Sequence, residues 1–179
     1  MSNNGITVVK IGLISIILTL LTLSNDIDYE FIEEPYRKYV TEYVETLESN
    51  GIDVPTQKRW TVRDEPRFFI TTTIGEARGM FDDREVMVFI HPLLKLKDEN
   101  MIRFVIWHEL THDIFNVRHG TTLLMKSTAD RNDAQIFDVA KVLLIDYLKK
   151  INSMNHYIEN KKFFNKSLPE LNGVCKFAL

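Results

Sequence analysis

The chain has 179 residues, of which 45% are hydrophobic, and this length and composition predict one globular domain with its own core. Lys and Arg total 22 and Asp and Glu total 25, so the net charge of −3 excludes the strongly basic balance typical of nucleic-acid-binding domains. Cys175 is the single cysteine, which excludes an internal disulfide framework and a cysteine-based zinc site.

An uncharged, mostly apolar run, Ile11 to Leu23, follows Lys10 near the N-terminus. This order is typical of a secretory signal peptide, and the run is shorter than the roughly 20 residues that a membrane-spanning helix needs. Extended to residues 8–23, the segment also predicts a membrane anchor, so the protein is expected to be exported, periplasmic or membrane-anchored. A buried segment retained in the fold is the alternative. The chain thus divides into an apolar segment, 1–25, and a main domain, 26–179.

Apolar residues at helical spacing, with a glycine at the expected end, predict a first helix from Pro35 to Ser49. The acidic stretch before it, Asp26 to Glu34, is predicted to be a linker. Composition and alternation then predict three strands, at Arg59–Arg63, Phe68–Ile74 and Glu85–His91. Gly75 to Asp83, with two glycines and paired aspartates, is predicted to be a loop or hairpin connection.

Two further helices complete the predicted elements. Asp98 is suited to cap a helix that continues to about Asn116. A last long helix is predicted to begin at Asp130 or Asn132 and to carry an apolar face as far as Tyr147. The order of helix, strands, helix, loop and helix predicts an α+β fold with a short mixed or antiparallel sheet and a long C-terminal helix.

The helix after the third predicted strand carries the segment His108-Glu109-Leu110-Thr111-His112. Histidines four residues apart project from one helix face about one turn apart, so their imidazoles can share a metal ion. Glu109 flanks that position, where its carboxylate can take a proton from a metal-bound water as a general base. This spacing therefore predicts a catalytic zinc site. An exposed helix face with a pH-sensitive histidine pair is the alternative interpretation.

The segment from His108 to His119 resembles the metzincin pattern H-E-x-x-H-x-x-G-x-x-H. Metzincins are zinc endopeptidases in which a glycine turns the chain off the helix and a third histidine returns to the metal. The resemblance implies a zincin-like domain that hydrolyses peptides or proteins. It also implies that His108, His112 and His119 bind Zn²⁺, with Glu109 as the catalytic base.

The sequence departs from the metzincin pattern by one extra residue between the second and third histidines. Asn116 stands where a shifted glycine would lie, and Asn is the residue other than Gly that best tolerates the left-handed backbone of such a turn. Met125 lies where the methionine-bearing turn of the family would be expected, with ordinary core packing as the alternative. The resemblance covers about residues 85 to 128.

The chain also resembles, more distantly, short metallopeptidases encoded by gut bacteria and their tailed phages. In those chains the segment H-E-x-x-H-D is followed by an Asn and a third His, as it is from His108 to His119. This likeness implies a second function for the zincin fold. The alternative is a structural or assembly protein, such as a virion component that forms a homo-oligomer, with or without retained activity.

Several other residues near the motif are candidate ligands or site residues. Asp130 and Asp133 offer an aspartate as third ligand, as in aspzincins, although helix capping is the alternative for both. Asp113 is interpreted as a solvated charge or as a residue that orients a ligand histidine. The strand Glu85 to His91 is predicted to be an edge strand that binds substrate main chain, and His91 at its end is a further candidate near the site.

Overall fold

The computed structural model describes residues 27–79, 82, 84–129, 131–153 and 173–177, which form an α+β fold. The helices are α1, α2, α3 and α4, at Glu34–Ser49, Glu99–Phe115, Arg131–Gln135 and Phe137–Ser153. The strands are β1, β2, β3, β4 and β5, at Arg59–Asp64, Thr73–Ala77, Glu85–Ile90, Thr128–Ala129 and Gly173–Phe177. Short 3₁₀ helices lie at Pro66–Ile70 and Leu94–Leu96.

The five strands form one mixed sheet in the order β1-β3-β2-β5-β4. Strand β1 runs parallel to β3, strand β2 runs antiparallel to both β3 and β5, and β4 runs parallel to β5. The predicted α+β class with a small mixed sheet is therefore confirmed. Because β3 pairs on both sides, the prediction that Glu85 to His91 is an edge strand that adds a substrate chain is wrong.

The strand predicted at Phe68–Ile74 is also wrong. Pro66 to Ile70 form a 3₁₀ helix, and β2 begins only at Thr73. Glu65 caps the 3₁₀ helix, with its carboxylate accepting the Arg67 backbone N–H at 3.3 Å. Proline fixes φ at a value suited to the first turn of a helix, so capping and proline outweigh the β-propensity of the aromatic residues that follow.

Helix α2 lies at the centre of the core. The Asp98 carboxylate accepts the Met101 N–H at 3.0 Å, which confirms the predicted cap. From Met101 to Ile114 every residue except Arg103 is buried, because the helix packs between α1 on one side and strands β2 and β3 on the other. A helix buried on every side presents no polar stripe to solvent, so its polar side chains need a partner or a function.

The segment predicted as a linker belongs to the domain. Glu33 N–H donates to the Val62 carbonyl at 2.9 Å, and Val62 N–H donates to the Phe31 carbonyl at 3.2 Å. Ile32 pairs with Val62 and is buried. Residues 31–33 therefore cover the outer edge of β1. The predicted last helix is likewise interrupted, since α3 and α4 are separated at Ile136.

No helix among the described residues is long and apolar enough to cross a membrane. The apolar run within residues 8–23 lies outside the described residues, so the predictions of a signal peptide, an anchor or a retained segment stay predictions. The single cysteine, Cys175, lies in β5, where only the backbone is described.

Candidate metal centre

The three histidines of the motif come together at the C-terminal end of α2. His108 and His112 are buried, and their Nε2 atoms lie 2.9 Å apart. The Nε2 atom of His119, which is partly exposed, lies 3.2 Å from that of His108. Ligand atoms of all three residues lie within 4.8 Å of one another. Tetrahedral zinc, with Zn–N distances of about 2.0–2.1 Å, places its nitrogen ligands about 3.3 Å apart, so the three histidines lie close enough together to hold a metal ion of this kind.

A left-handed turn at Asn116 brings His119 back to the helix. Asn116 has φ 52° and ψ 37°, and its N–H closes the helix on the His112 carbonyl at 2.9 Å. Val117, the next residue, is buried. The extra residue relative to the metzincin pattern is accommodated because α2 ends at Phe115 and the reversal falls at Asn116.

We expect Asn116→Ala to lower the free energy of unfolding by about 1 kcal/mol, because a Cβ without a compensating polar side chain disfavours the left-handed region. Asn116→Gly is expected to leave stability within about 0.5 kcal/mol, since glycine adopts positive φ freely. Urea denaturation of the two metal-free variants tests this. Equal destabilisation by alanine and glycine would show that the Asn side chain, and not the backbone conformation, is what matters.

Backbone carbonyls fix the tautomer of both helix histidines. His108 Nδ1 donates to the Leu124 carbonyl at 2.8 Å, and His112 Nδ1 donates to the Val117 carbonyl at 2.5 Å. A carbonyl oxygen can only accept, so Nδ1 carries the proton in each ring and Nε2 carries a lone pair when the ring is neutral. Metal-binding histidines typically donate their second ring N–H in this way.

The rings are also held in the neutral form. Burial, followed by the neighbouring His112, lowers the pKa of His108 well below its usual value. Burial, followed by His119, lowers the pKa of His112 to about 4. Near neutral pH both Nε2 atoms therefore carry a lone pair and lie 2.9 Å apart. A cation between them would remove the repulsion between the two lone pairs. Imidazole is a preferred ligand of zinc, so the donor set fits that ion.

Met125 lies in a turn beside His108. Gly120 N–H donates to the Met125 carbonyl at 2.7 Å, and Met125 N–H donates to the Thr122 carbonyl at 3.1 Å. The Met125 side chain is fully buried, and the carbonyl of its neighbour Leu124 is the His108 partner. The roles of the Leu124 and Val117 carbonyls could not be predicted from the sequence, because every residue has a backbone carbonyl and residue identity does not mark which one accepts.

The Glu109 side chain lies between its own helix, α2, and strand β2. This side chain is fully buried, and a Cβ built on Gly75 would lie 2.6 Å from its Oε1 and 2.7 Å from its Cγ. The prediction that Gly75 belongs to a loop or hairpin connection is wrong, since Gly75 lies within β2. A glycine inside a strand often marks a close approach, and here the missing side chain makes room for the Glu109 carboxylate.

Asp113 is not a solvated charge, so that interpretation is wrong, and its recorded hydrogen bonds are to backbone N–H groups and not to a ligand histidine. It is buried, and its Oδ2 accepts the N–H groups of Gly79 at 2.9 Å and of Met87 at 2.7 Å. Burial raises the pKa of Asp113 to about 7, and the two N–H groups oppose that rise. The carboxylate therefore joins the end of α2 to the sheet.

The other candidate ligands lie elsewhere. His91 Nδ1 accepts the Leu93 N–H at 3.1 Å, and His91 is not a member of the three-histidine group. Asp133 is buried and forms an ion pair with Lys126. Asp130 lies outside the described residues. Within the described part of the chain, the group that could hold a metal ion consists of the three histidines alone.

A groove of about 810 Å³ lies between α1, the C-terminal end of α2 and α4. Its walls include the apolar side chains of Val44, Ile114 and Leu148, and the acidic residues Glu45 and Glu48. None of the three histidines lines it. The groove is therefore separate from the metal centre.

No protein-family model, no curated protein and no solved structure matches this chain. Function is therefore inferred from the chemistry of the three-histidine centre and of the residues around it.

Proposed function

We propose that the protein is a zinc-dependent peptide hydrolase in which His108, His112 and His119 bind the metal. The observation that carries this proposal is the convergence of three Nε2 atoms, two of which belong to rings whose tautomer is fixed by backbone carbonyls. Three protein ligands leave a fourth position for water or substrate, which is typical of catalytic rather than structural zinc. His119 is partly exposed, so the centre can be reached from solvent on that side.

Glu109 is the proposed general base. Bound zinc would polarise the scissile carbonyl and lower the pKa of a water molecule to about 7. The Glu109 carboxylate then accepts the proton of the attacking water and delivers it to the leaving amine nitrogen. The likeness of His108–His119 to the metzincin pattern supports a peptide or protein as the substrate class. The Nδ1–H groups of His108 and His112 stay on their carbonyls, which keeps both rings oriented during turnover.

We expect the zinc-loaded full chain to cleave an unfolded protein such as casein, and a chelator to abolish the cleavage. Re-addition of Zn²⁺ should restore it, because the ligands are neutral near pH 7 and need no rearrangement to bind again. Cleavage can be followed by the appearance of new amino termini. A protein that holds zinc but cleaves no peptide under any of these conditions would contradict the proposal, as would cleavage that survives removal of all metal.

An assembly role is the second candidate, and exposed apolar side chains favour it. Apolar side chains with large exposed fractions lie on three elements, the two short 3₁₀ helices and α4: Phe69 57%, Ile70 89%, Leu96 75%, Val139 58% and Val142 56%. Clusters of exposed apolar side chains often mark contacts with other proteins. A virion component or other homo-oligomer built on this fold would use them. Light scattering discriminates, since a ring or other high-order oligomer supports assembly and a monomer that digests casein excludes it.

A further inference from the structure

The Asp113 carboxylate lies at the junction of the metal-site helix and the sheet. We infer that Asp113 and Gly79 are positioning residues, which fix the rotation of the last turns of α2 and thereby aim His108 and His112 at the metal. This inference rests on the proposed function, because the side chains that are aimed are the proposed zinc ligands.

The first support is that Asp113 replaces a backbone carbonyl as a hydrogen-bond acceptor where the pairing of β2 with β3 ends. The antiparallel register joins Ala77 to Val88, so the next residues, Arg78 and Met87, lie opposite each other. Arg78 N–H still donates to the Met87 carbonyl at 2.8 Å. The Met87 N–H instead donates to Asp113 Oδ2 at 2.7 Å. A side chain of α2 therefore takes a place that a strand carbonyl would fill in a continued ladder.

The second support is the close approach at Gly79. A Cβ on Gly79 would lie 2.6 Å from Asp113 Oδ1 and 2.7 Å from Oδ2, and 2.8 Å from the Glu85 carbonyl. Only a residue without a side chain leaves room for the carboxylate and lets the Gly79 N–H reach it at 2.9 Å. The contact is thus specified from both sides, by a carboxylate on the helix and by a glycine after the strand.

The third support is a repeat of the same contact one helical turn earlier. Glu109 and Asp113 are four residues apart on α2, so they lie on one helix face, and each packs against a glycine, Gly75 or Gly79. Each histidine of the pair directly precedes one of these carboxylates. Successive helix residues differ in direction by about 100°. When the face that carries Glu109 and Asp113 packs against the sheet, the direction of the neighbouring histidines is therefore fixed as well.

Three substitutions in the full chain separate positioning from stability. Asp113→Ala removes the contact. Asp113→Asn retains an oxygen that can accept both N–H groups, because Oδ2 alone makes both bonds now. Asp98→Ala is the matched control, since it removes a hydrogen-bonding carboxylate from the opposite end of the same helix. These three variants and Gly79→Ala are titrated with Co²⁺, whose visible absorption reports the affinity and geometry of the site, and their thermal unfolding is recorded.

We expect Asp113→Ala to weaken Co²⁺ binding by about tenfold or more, in line with the effect of residues that orient metal ligands. Gly79→Ala should behave in the same way, and Asp113→Asn should restore most of the affinity. Asp98→Ala should lower Tm without changing the affinity. The inference is overturned if Asp113→Ala binds Co²⁺ as tightly as the wild type, or if Asp98→Ala weakens binding as much for a similar loss of Tm.

A metal-independent signal separates this inference from the proposed function. The Nδ1–H of His112, held by the Val117 carbonyl, is expected to give a protected proton resonance in the metal-free protein. That resonance should shift or disappear in Asp113→Ala and persist in Asp98→Ala. A wild type that binds no Co²⁺ would remove the zinc proposal. The histidine resonance would still decide whether Asp113 orients the ring, and an unchanged resonance in Asp113→Ala would refute it.

Discussion

Replacement of Glu109 by glutamine is expected to abolish peptide cleavage while zinc stays bound. Glutamine has nearly the same shape, so it can occupy the space against Gly75, but its amide cannot accept a proton from water as a carboxylate does. General base catalysis contributes about 10²–10⁴-fold to the rate, and we expect kcat to fall by a factor in that range. The measurement is kcat on a fluorogenic peptide together with the zinc content of the same preparation.

Glu99→Gln is the matched control for this experiment. Glu99 lies in the first turn of the same helix, with its side chain 51% exposed and paired with Lys38. The control should keep both zinc and kcat, because the change is far along α2 from the histidines. Cleavage at the wild-type rate by Glu109→Gln would remove Glu109 from the mechanism, and loss of zinc in that variant would assign it a structural role.

Replacement of Gly75 by alanine is expected to damage both stability and activity. The new Cβ would lie 2.6 Å from Glu109 Oε1 and 2.9 Å from Val105 Cγ1, so either the strand or the carboxylate must move. Overpacking of a core site costs about 1–3 kcal/mol in the free energy of unfolding. Displacement of the carboxylate should lower kcat by at least about tenfold, since small misplacements of catalytic groups are costly. Urea denaturation and kcat of the zinc-loaded variant test the two effects.

Gly51→Ala is the control for the glycine substitution. Gly51 has φ +72° at the end of α1, and a Cβ there meets nothing within 4 Å. This variant should lose about 1 kcal/mol of stability through backbone strain and keep full activity. A Gly75→Ala enzyme with wild-type kcat and zinc content would show that Glu109 does not depend on the close approach of β2.

The sequence alone was sufficient to predict the helices whose two ends carry characteristic residues. Pro35 and Gly51 bracket α1, and Asp98 and Asn116 bracket α2, so both helices lie within about one or two residues of their predicted bounds, which is the usual uncertainty of helix ends. The cap at Asp98 and the left-handed residue at Asn116 are properties of a few neighbouring residues. The spacing of His108, His112 and His119 likewise made them candidates before any contact was known.

Tertiary contacts decided what local signals did not. Strands β4 and β5 form by pairing between segments more than 40 residues apart, and no alternation in either segment marks them. An aspartate such as Asp113 is expected to be exposed when only the sequence is known, and its burial depends on N–H groups supplied by Gly79 and Met87. The run Phe68 to Ile74 has strand composition, yet the cap at its start directs it into a 3₁₀ helix.

The zinc content of the purified full chain tests the central claim most directly. Elemental analysis of the wild type is compared with His119→Ala, and with His91→Ala as a control histidine outside the three-histidine group. We expect about one zinc per chain in the wild type and in the control, and loss or marked weakening in His119→Ala, because catalytic zinc is held by three protein ligands. No zinc in the wild type under metal-replete conditions would contradict this claim and leave the assembly role as the remaining proposal.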